Sequence, residues 1–216
     1  MAITDILLAL SEAFLTTVNI FLLTLLLALP LGLIISFGRM SKNALVRNIF
    51  KIYISIMRGT PLMLQLMMVY FGPYYLFQIQ LPRGYRFIAV IIGFVLNYAA
   101  YFAEIYRSGI ESMPEGQYEA AKLLGYSKSQ TFFRIILPQV IKRILPSITN
   151  EVITLVKDTS LAFVISVTEM FTQAKALASS QFSMMPYILS GAIYYVFNFI
   201  VAAIMEKIEK SMSYYK

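Results

Sequence analysis

Apolar residues dominate five stretches of the chain, at about 14–37, 52–77, 87–106, 140–167 and 184–205, with most of the charge in the runs between them. The hydrocarbon core of a bilayer takes roughly twenty apolar helical residues to cross. Each stretch is long enough, so the pattern predicts five transmembrane helices. A different pattern fills residues 112–138, which are polar and helix-prone. Ser112 ahead of Pro114 and Glu115 reads as a helix start. Gly125 reads as the residue that closes that helix, and Ser127 as the cap of a second short one, which Pro138 should end. Residues 169–181 read as a short loop and 206–216 as a charged tail.

Three of the apolar stretches are broken by polar groups. The fourth contains Asn150-Glu151-Val152-Ile153-Thr154-Leu155-Val156-Lys157-Asp158-Thr159-Ser160. On a helix Ser147, Glu151, Thr154 and Asp158 recur at spacings of four, three and four and share a face, with Lys157 at its edge. Charges at membrane depth are costly unless paired or facing water, and they commonly mark the route of a solute. A static staple between helices would need only Lys157 and Asp158; this run carries more. The second stretch contains Arg58-Gly59-Thr60-Pro61. Pro61 donates no N–H and clashes with the carbonyl of Met57, so the helix should kink or break. Freed backbone groups there must face protein or a water-filled cavity. Arg58 needs an acid, for which Glu104, Glu151 and Asp158 are available. In the third stretch Asn97, Tyr101, Glu104 and Ser108 share a polar face that can pack on the stripe of the fourth. Hydrogen bonding between helices is the plainer use of Asn97 and Tyr101, and anchoring at the membrane boundary that of Glu104 and Arg107.

Composition agrees with a membrane protein: 59% of the residues are hydrophobic, 13% charged, and the mean hydropathy is +0.71. There is no cysteine and no histidine. Disulfides, thiolate or imidazole metal sites and histidine acid–base chemistry are therefore excluded. The N-terminus lacks the basic stretch and cleavage site of a signal peptide. The net charge of +7 is distributed unevenly. One side of the predicted membrane collects Arg39, Lys42, Arg47, Lys51, Arg107, Lys122, Lys128, Arg134, Lys142, Arg143, Lys207, Lys210 and Lys216. The other has Arg83, Arg86 and Lys175. This asymmetry places the N-terminus outside and the C-terminus in the cytoplasm, and it argues against nucleic acid as a partner. No repeat or second domain interrupts residues 1–216.

Glu119-Ala120-Ala121, three residues, Gly125, nine residues and Ile135-x-Leu137-Pro138 resemble the EAA motif of membrane subunits of bacterial ABC importers. Arg58-Gly59-Thr60-Pro61-Leu62, Asn150 through Leu161, and Ala103-Glu104-Ile105-Tyr106-Arg107-Ser108-Gly109-Ile110 resemble the polar amino acid branch of that family, with Ser108 where glycine is more usual. The resemblance implies an all-α permease in the bacterial cell membrane. It would work as a homodimer or heterodimer with two ATPase subunits and an extracytoplasmic amino acid binding protein. A coupling helix at 114–124 would dock on the ATPase through Glu119, Ala120, Ala121 and Gly125. ATP and Mg would bind the ATPase, since this chain has no Gly-x4-Gly-Lys-Ser/Thr motif. The chain would itself be neither an enzyme nor the holder of a cofactor.

An amino acid is a zwitterion, so its route should offer both signs. Asp158 and Glu151 could receive the amino group or a cationic side chain. Lys157, Arg58 or backbone N–H groups near Gly59 and Thr60 could face the carboxylate. Thr154, Thr159 and Ser160 offer hydroxyls, and Asn150, Asn97, Tyr101 and Glu104 complete the polar set. The acids tilt the expected solute towards a basic amino acid such as arginine. A secondary transporter, which also uses broken helices and buried acids, and a non-transporting assembly subunit are the rival classes.

Overall fold

The structure is a computed structural model that describes residues 3–82 and 84–212. Arg83 and Lys216, counted above on opposite sides of the membrane, lie outside the described residues. Every regular element among the described residues is helical. The order is α1 (Ile3–Arg39), α2 (Ala44–Gly59), α3 (Leu62–Phe77), α4 (Tyr85–Glu111), α5 (Glu115–Leu123), the single turn α6 (Lys128–Gln130), a wide π-helical stretch (Thr131–Ile136), α7 (Leu137–Asp158), a 3₁₀ stretch (Thr159–Ile165), α8 (Met170–Gln181) and α9 (Met185–Ser211).

The protein packs around α4. Val90, Phe94, Ala99, Ala100, Phe102 and Ala103 are fully buried, and α1, α2, α3 and α7 surround them. Small residues let α1 lie close along α4. A Cβ built on Gly32 would stand 2.8 Å from the Phe102 Cβ and 3.0 Å from the Ala99 carbonyl oxygen. Neither atom is the movable end of a side chain, so Gly32→Leu must push the two helices apart. Overpacking of this kind costs about 1–3 kcal/mol, more than the ~1 kcal/mol that leaving glycine returns in helix propensity. The variant should melt several degrees below wild type in detergent; an unchanged melting temperature would refute the close contact.

Helices α1, α4 and α9 are long and apolar enough to cross a membrane, and the bent pair α2–α3 can supply one more crossing. Helix α7, which holds the charged run, falls outside that set because of its charges.

Local chemistry explains where the sequence pattern was redirected. Pro61 breaks the second stretch outright, and α2 and α3 meet at 110°. The residues expected to form a loop at 169–181 form α8 instead. The carboxylate of Glu169 accepts the N–H groups of Phe171 and Thr172 at 2.8 and 2.7 Å and so caps it. Glutamate is an uncommon cap, which hid the helix start. Pro138 does not end a helix: the widened π-helical turn over Thr131–Ile136 precedes it, and the helical run continues from Lys128 through Asp158. Ser112 is not the cap of α5 either. Its hydroxyl turns back to the Gly109 carbonyl at 2.8 Å, and Pro114 opens α5 without a side-chain cap. Gly125 does close α5. It adopts φ +79°, and the N–H groups of Gly125 and Tyr126 return to the carbonyls of Lys122 and Ala121, which is a Schellman closure. Ser127 caps the next turn through a capping box with Gln130.

Candidate functional site

The break at Pro61 strands the carbonyl of Met57, which would have bonded the missing N–H. Two buried amides take it over. Gln65 Nε2 donates to the Met57 oxygen at 2.9 Å and Asn97 Nδ2 donates to it at 3.0 Å. Gln65 Nε2 also reaches the Thr60 carbonyl and hydroxyl at 3.1 and 2.8 Å, and Asn97 Nδ2 reaches Gln65 Oε1 at 2.9 Å. The Met57 and Thr60 carbonyls are thus held by side chains, while Pro61 opens α3 with no side-chain cap. Asn97 is 5% exposed and Thr60 is tied to Gln65, so both serve the bend.

The bend aims Arg58 at α4. Its guanidinium lies 5.2 Å from the centre of the Tyr101 ring and 4.0 Å from Glu104. Glu104 is the acid that Arg58 needed. The same carboxylate accepts two hydrogen bonds from Arg107, at 3.0 and 2.7 Å, and faces Arg39 at 3.8 Å. One acid therefore gathers arginines from α1, α2 and α4. Arg107 also bonds Glu111. Such a hub fixes three helices together.

Beside the hub lies a cavity of about 420 Å³ between α4 and α7. Arg58, Tyr101, Glu104, Arg107 and Ser108 line one wall, and Arg143, Ser147 and Glu151 the other. The polar faces predicted for the third and fourth stretches do meet there. The remainder of the charged run is distributed differently. Asp158, the last residue of α7, accepts a 2.7 Å hydrogen bond from the hydroxyl of Tyr98, a residue only 2% exposed. Thr159 is sealed in the core with its hydroxyl on the Val156 carbonyl. The Ser160 hydroxyl donates to the Lys157 carbonyl at 2.8 Å. Lys157 and Asn150 are exposed and Thr154 is half-buried; none of the three lines the cavity. Lys157 makes no ion pair with Asp158 within 4.0 Å among the described residues.

Sequence reasoning missed Gln65, Tyr98, Arg143 and Glu169. A lone glutamine four residues past Pro61 in an apolar run was a usable signal for the first. Nothing in the local pattern marked Tyr98 among its aromatic neighbours.

Residues 28–214 match the family described as the inner membrane component of binding-protein-dependent transport systems. The chain belongs to that family. This permease is 44% identical over 189 residues to a probable amino-acid ABC transporter permease protein, YckA, of Bacillus subtilis (strain 168), covering 86% of this chain and 80% of that one. It is 35% identical over 201 residues to the L-cystine transport system permease protein TcyB of the same organism, covering 92% and 84%. A solved structure described as an amino acid ABC transporter with histidines superposes with a TM-score of 0.87 at 30% identity, covering 96% of each chain. The protein is a multi-pass membrane subunit of an ABC importer, in the amino acid branch, and is not the ATPase of that system. Its family implies an ATPase and a solute-binding protein as partners.

On the permease, the motif residues of α5 face two ways. Glu119, Ala120 and Gly125 are exposed, whereas Ala121 is 1% exposed. Ala121 is therefore packed within the protein, while Ala120 stands on the outer surface of α5. Leu123 and Leu124 stand out at 89% and 75% exposure beside them. Gln117 on α5 and Gln139 on α7 exchange two side-chain hydrogen bonds, at 3.1 and 2.7 Å, which ties α5 to α7.

Proposed function

We propose that this permease carries a polar, zwitterionic amino acid, with a tilt towards a basic one such as arginine, through a route bordered by the cavity between α4 and α7. One observation carries the proposal: that cavity presents Arg58 and Arg143 with Glu151 and several hydroxyls, so it offers both signs at once to a solute that has both. Glu151 faces the amino group or a cationic side chain. Asp158, at the foot of the same helix and oriented by Tyr98, is a second acidic contact along the route. Arg58, held over Tyr101, faces the carboxylate; Lys157, Thr154, Ser160 and Asn150 border the path from its exposed side. Glu104, Asn97, Thr60, Gly59 and the sealed Thr159 serve by shaping it. The tilt to a basic solute rests on the acids alone; one relative is named for L-cystine and another for arginine.

In this reading the whole of residues 1–216 is one transmembrane domain with five crossings, the N-terminus outside and the C-terminus in the cytoplasm. It pairs with an identical or similar permease. The segment 112–138 docks on an ATPase that binds ATP and Mg, and an extracytoplasmic binding protein delivers the solute. The test is uptake of labelled arginine into vesicles that contain the copurified transporter, with cystine and glutamine as competitors. Uptake should require ATP and survive collapse of ion gradients. Uptake driven by a gradient without ATP would instead favour a secondary transporter, and absence of any uptake an assembly subunit.

A further inference from the structure

We propose that α2 lies in the plane of the membrane and that its basic edge holds the headgroups of anionic phospholipids. The orientation follows from its neighbours. Tyr85 bonds the carbonyl of Val69, Gly93 meets Leu66 and Asn97 meets Gln65, so α3 and α4 run side by side in opposite directions. Since α4 is a membrane-spanning helix, α3 follows the membrane normal, and a bend of 110° turns α2 close to the plane.

The surface of α2 divides in three. Phe50, Tyr53, Ile54 and Met57 pack against the core. Leu45, Ile49, Ile52 and Ile56 recur at spacings of four, three and four and are 52–70% exposed. Asn48, Lys51 and Ser55 form an exposed polar edge. A helix against the side of a bundle, with one outer strip apolar and the other polar, has the division of an interfacial helix.

Charge identifies the polar partner. From Gly38 to Gly59 the chain has five basic residues and no acid: Arg39, Lys42, Arg47, Lys51 and Arg58. Arg39 and Arg58 are engaged by Glu104. Lys42, Arg47 and Lys51 have no carboxylate within 4.0 Å among the described residues; Arg47 is half-buried and donates to the Ser41 carbonyl at 3.3 Å, which leaves Lys42 and Lys51 exposed and free of an acid. On α2 itself Arg47, Lys51 and Arg58 recur at spacings of four and seven and share one line of the helix, with Asn48 and Ser55 between that line and the apolar strip. For a helix in the plane of the membrane the anion that fits such an edge is a lipid phosphate, and each base at an anionic surface changes partitioning about fivefold.

The chain has no cysteine, so single nitroxides can be placed by Ile52→Cys and Ser55→Cys. The full transporter, with its ATPase, is reconstituted in nanodiscs of phosphatidylcholine and phosphatidylglycerol. The label at position 52 should collide with oxygen and the label at 55 with a water-soluble nickel complex. After detergent extraction, phosphatidylglycerol should be enriched among the retained lipids. Lys42→Gln combined with Lys51→Gln should reduce that enrichment by about tenfold or more, and Lys207→Gln with Lys210→Gln should not. A label at 52 shielded from both reagents would assign the strip to a protein partner and overturn the proposal. So would unchanged enrichment in the Lys42/Lys51 variant.

Discussion

Asp158→Asn sharply lowers amino acid uptake by the reconstituted transporter, while assembly with the ATPase and basal ATP hydrolysis stay near wild type. The side chain keeps its size, and Tyr98 can still donate to the remaining amide oxygen, so the helix end survives. What disappears is the negative charge at the end of α7, where the α-helix gives way to the 3₁₀ stretch. A hydrogen bond to a charged group contributes about 1.5–3 kcal/mol, which is roughly a ten- to hundredfold loss of uptake. Tyr98→Phe separates orientation from charge. It leaves the carboxylate in place but frees it to turn, so uptake should fall by a smaller factor, chiefly through a higher KM. Wild-type uptake by Asp158→Asn would remove Asp158 from the route. Loss of uptake together with loss of assembly would make the residue a structural one.

The broad architecture was readable because it depends on gross energetics. Twenty apolar residues in a row have few soluble alternatives, and Pro61 has no N–H in any context. The meeting of Tyr101 and Ser108 with Ser147 and Glu151 was readable for the same reason: period alone places each pair on one helix face. What escaped the sequence depends on tertiary partners. Glu104 looked like one acid for one arginine, yet three arginines converge on it from different helices. Asn97 looked like part of a solute face, but the Met57 carbonyl that Pro61 stranded claims its amide. Thr159 belonged to the same polar run as Asp158, but the change from α-helix to 3₁₀ rotates it into the core. A periodicity argument cannot foresee that, because the period itself changes there. The helix over 170–181 was missed because its cap is glutamate, and the continuation through Pro138 because the preceding turn widens.

The two alanines of the proposed coupling segment should respond differently to the same substitution. Ala120 is exposed beside Glu119, so Ala120→Leu alters the outer surface of α5 without disturbing its packing. Coupling should be lost: ATP hydrolysis continues while uptake falls by about tenfold or more, because one misfitted side chain in a desolvated contact costs about 1–3 kcal/mol. Glu119→Lys should act in the same way by reversing a surface charge. Ala121 is buried, and α5 packs on the π-helical stretch, so Ala121→Leu should instead lower the melting temperature and the yield of folded permease. The link from α5 to the cavity runs through the reciprocal amide pair of Gln117 and Gln139 into α7, which carries Glu151 and Asp158 at its other end. Gln139→Leu should therefore weaken coupling with the ATPase contact itself intact, seen as normal copurification with reduced stimulation of hydrolysis by solute. Tight coupling in both Ala120→Leu and Gln139→Leu would mean that motion reaches α7 by another path.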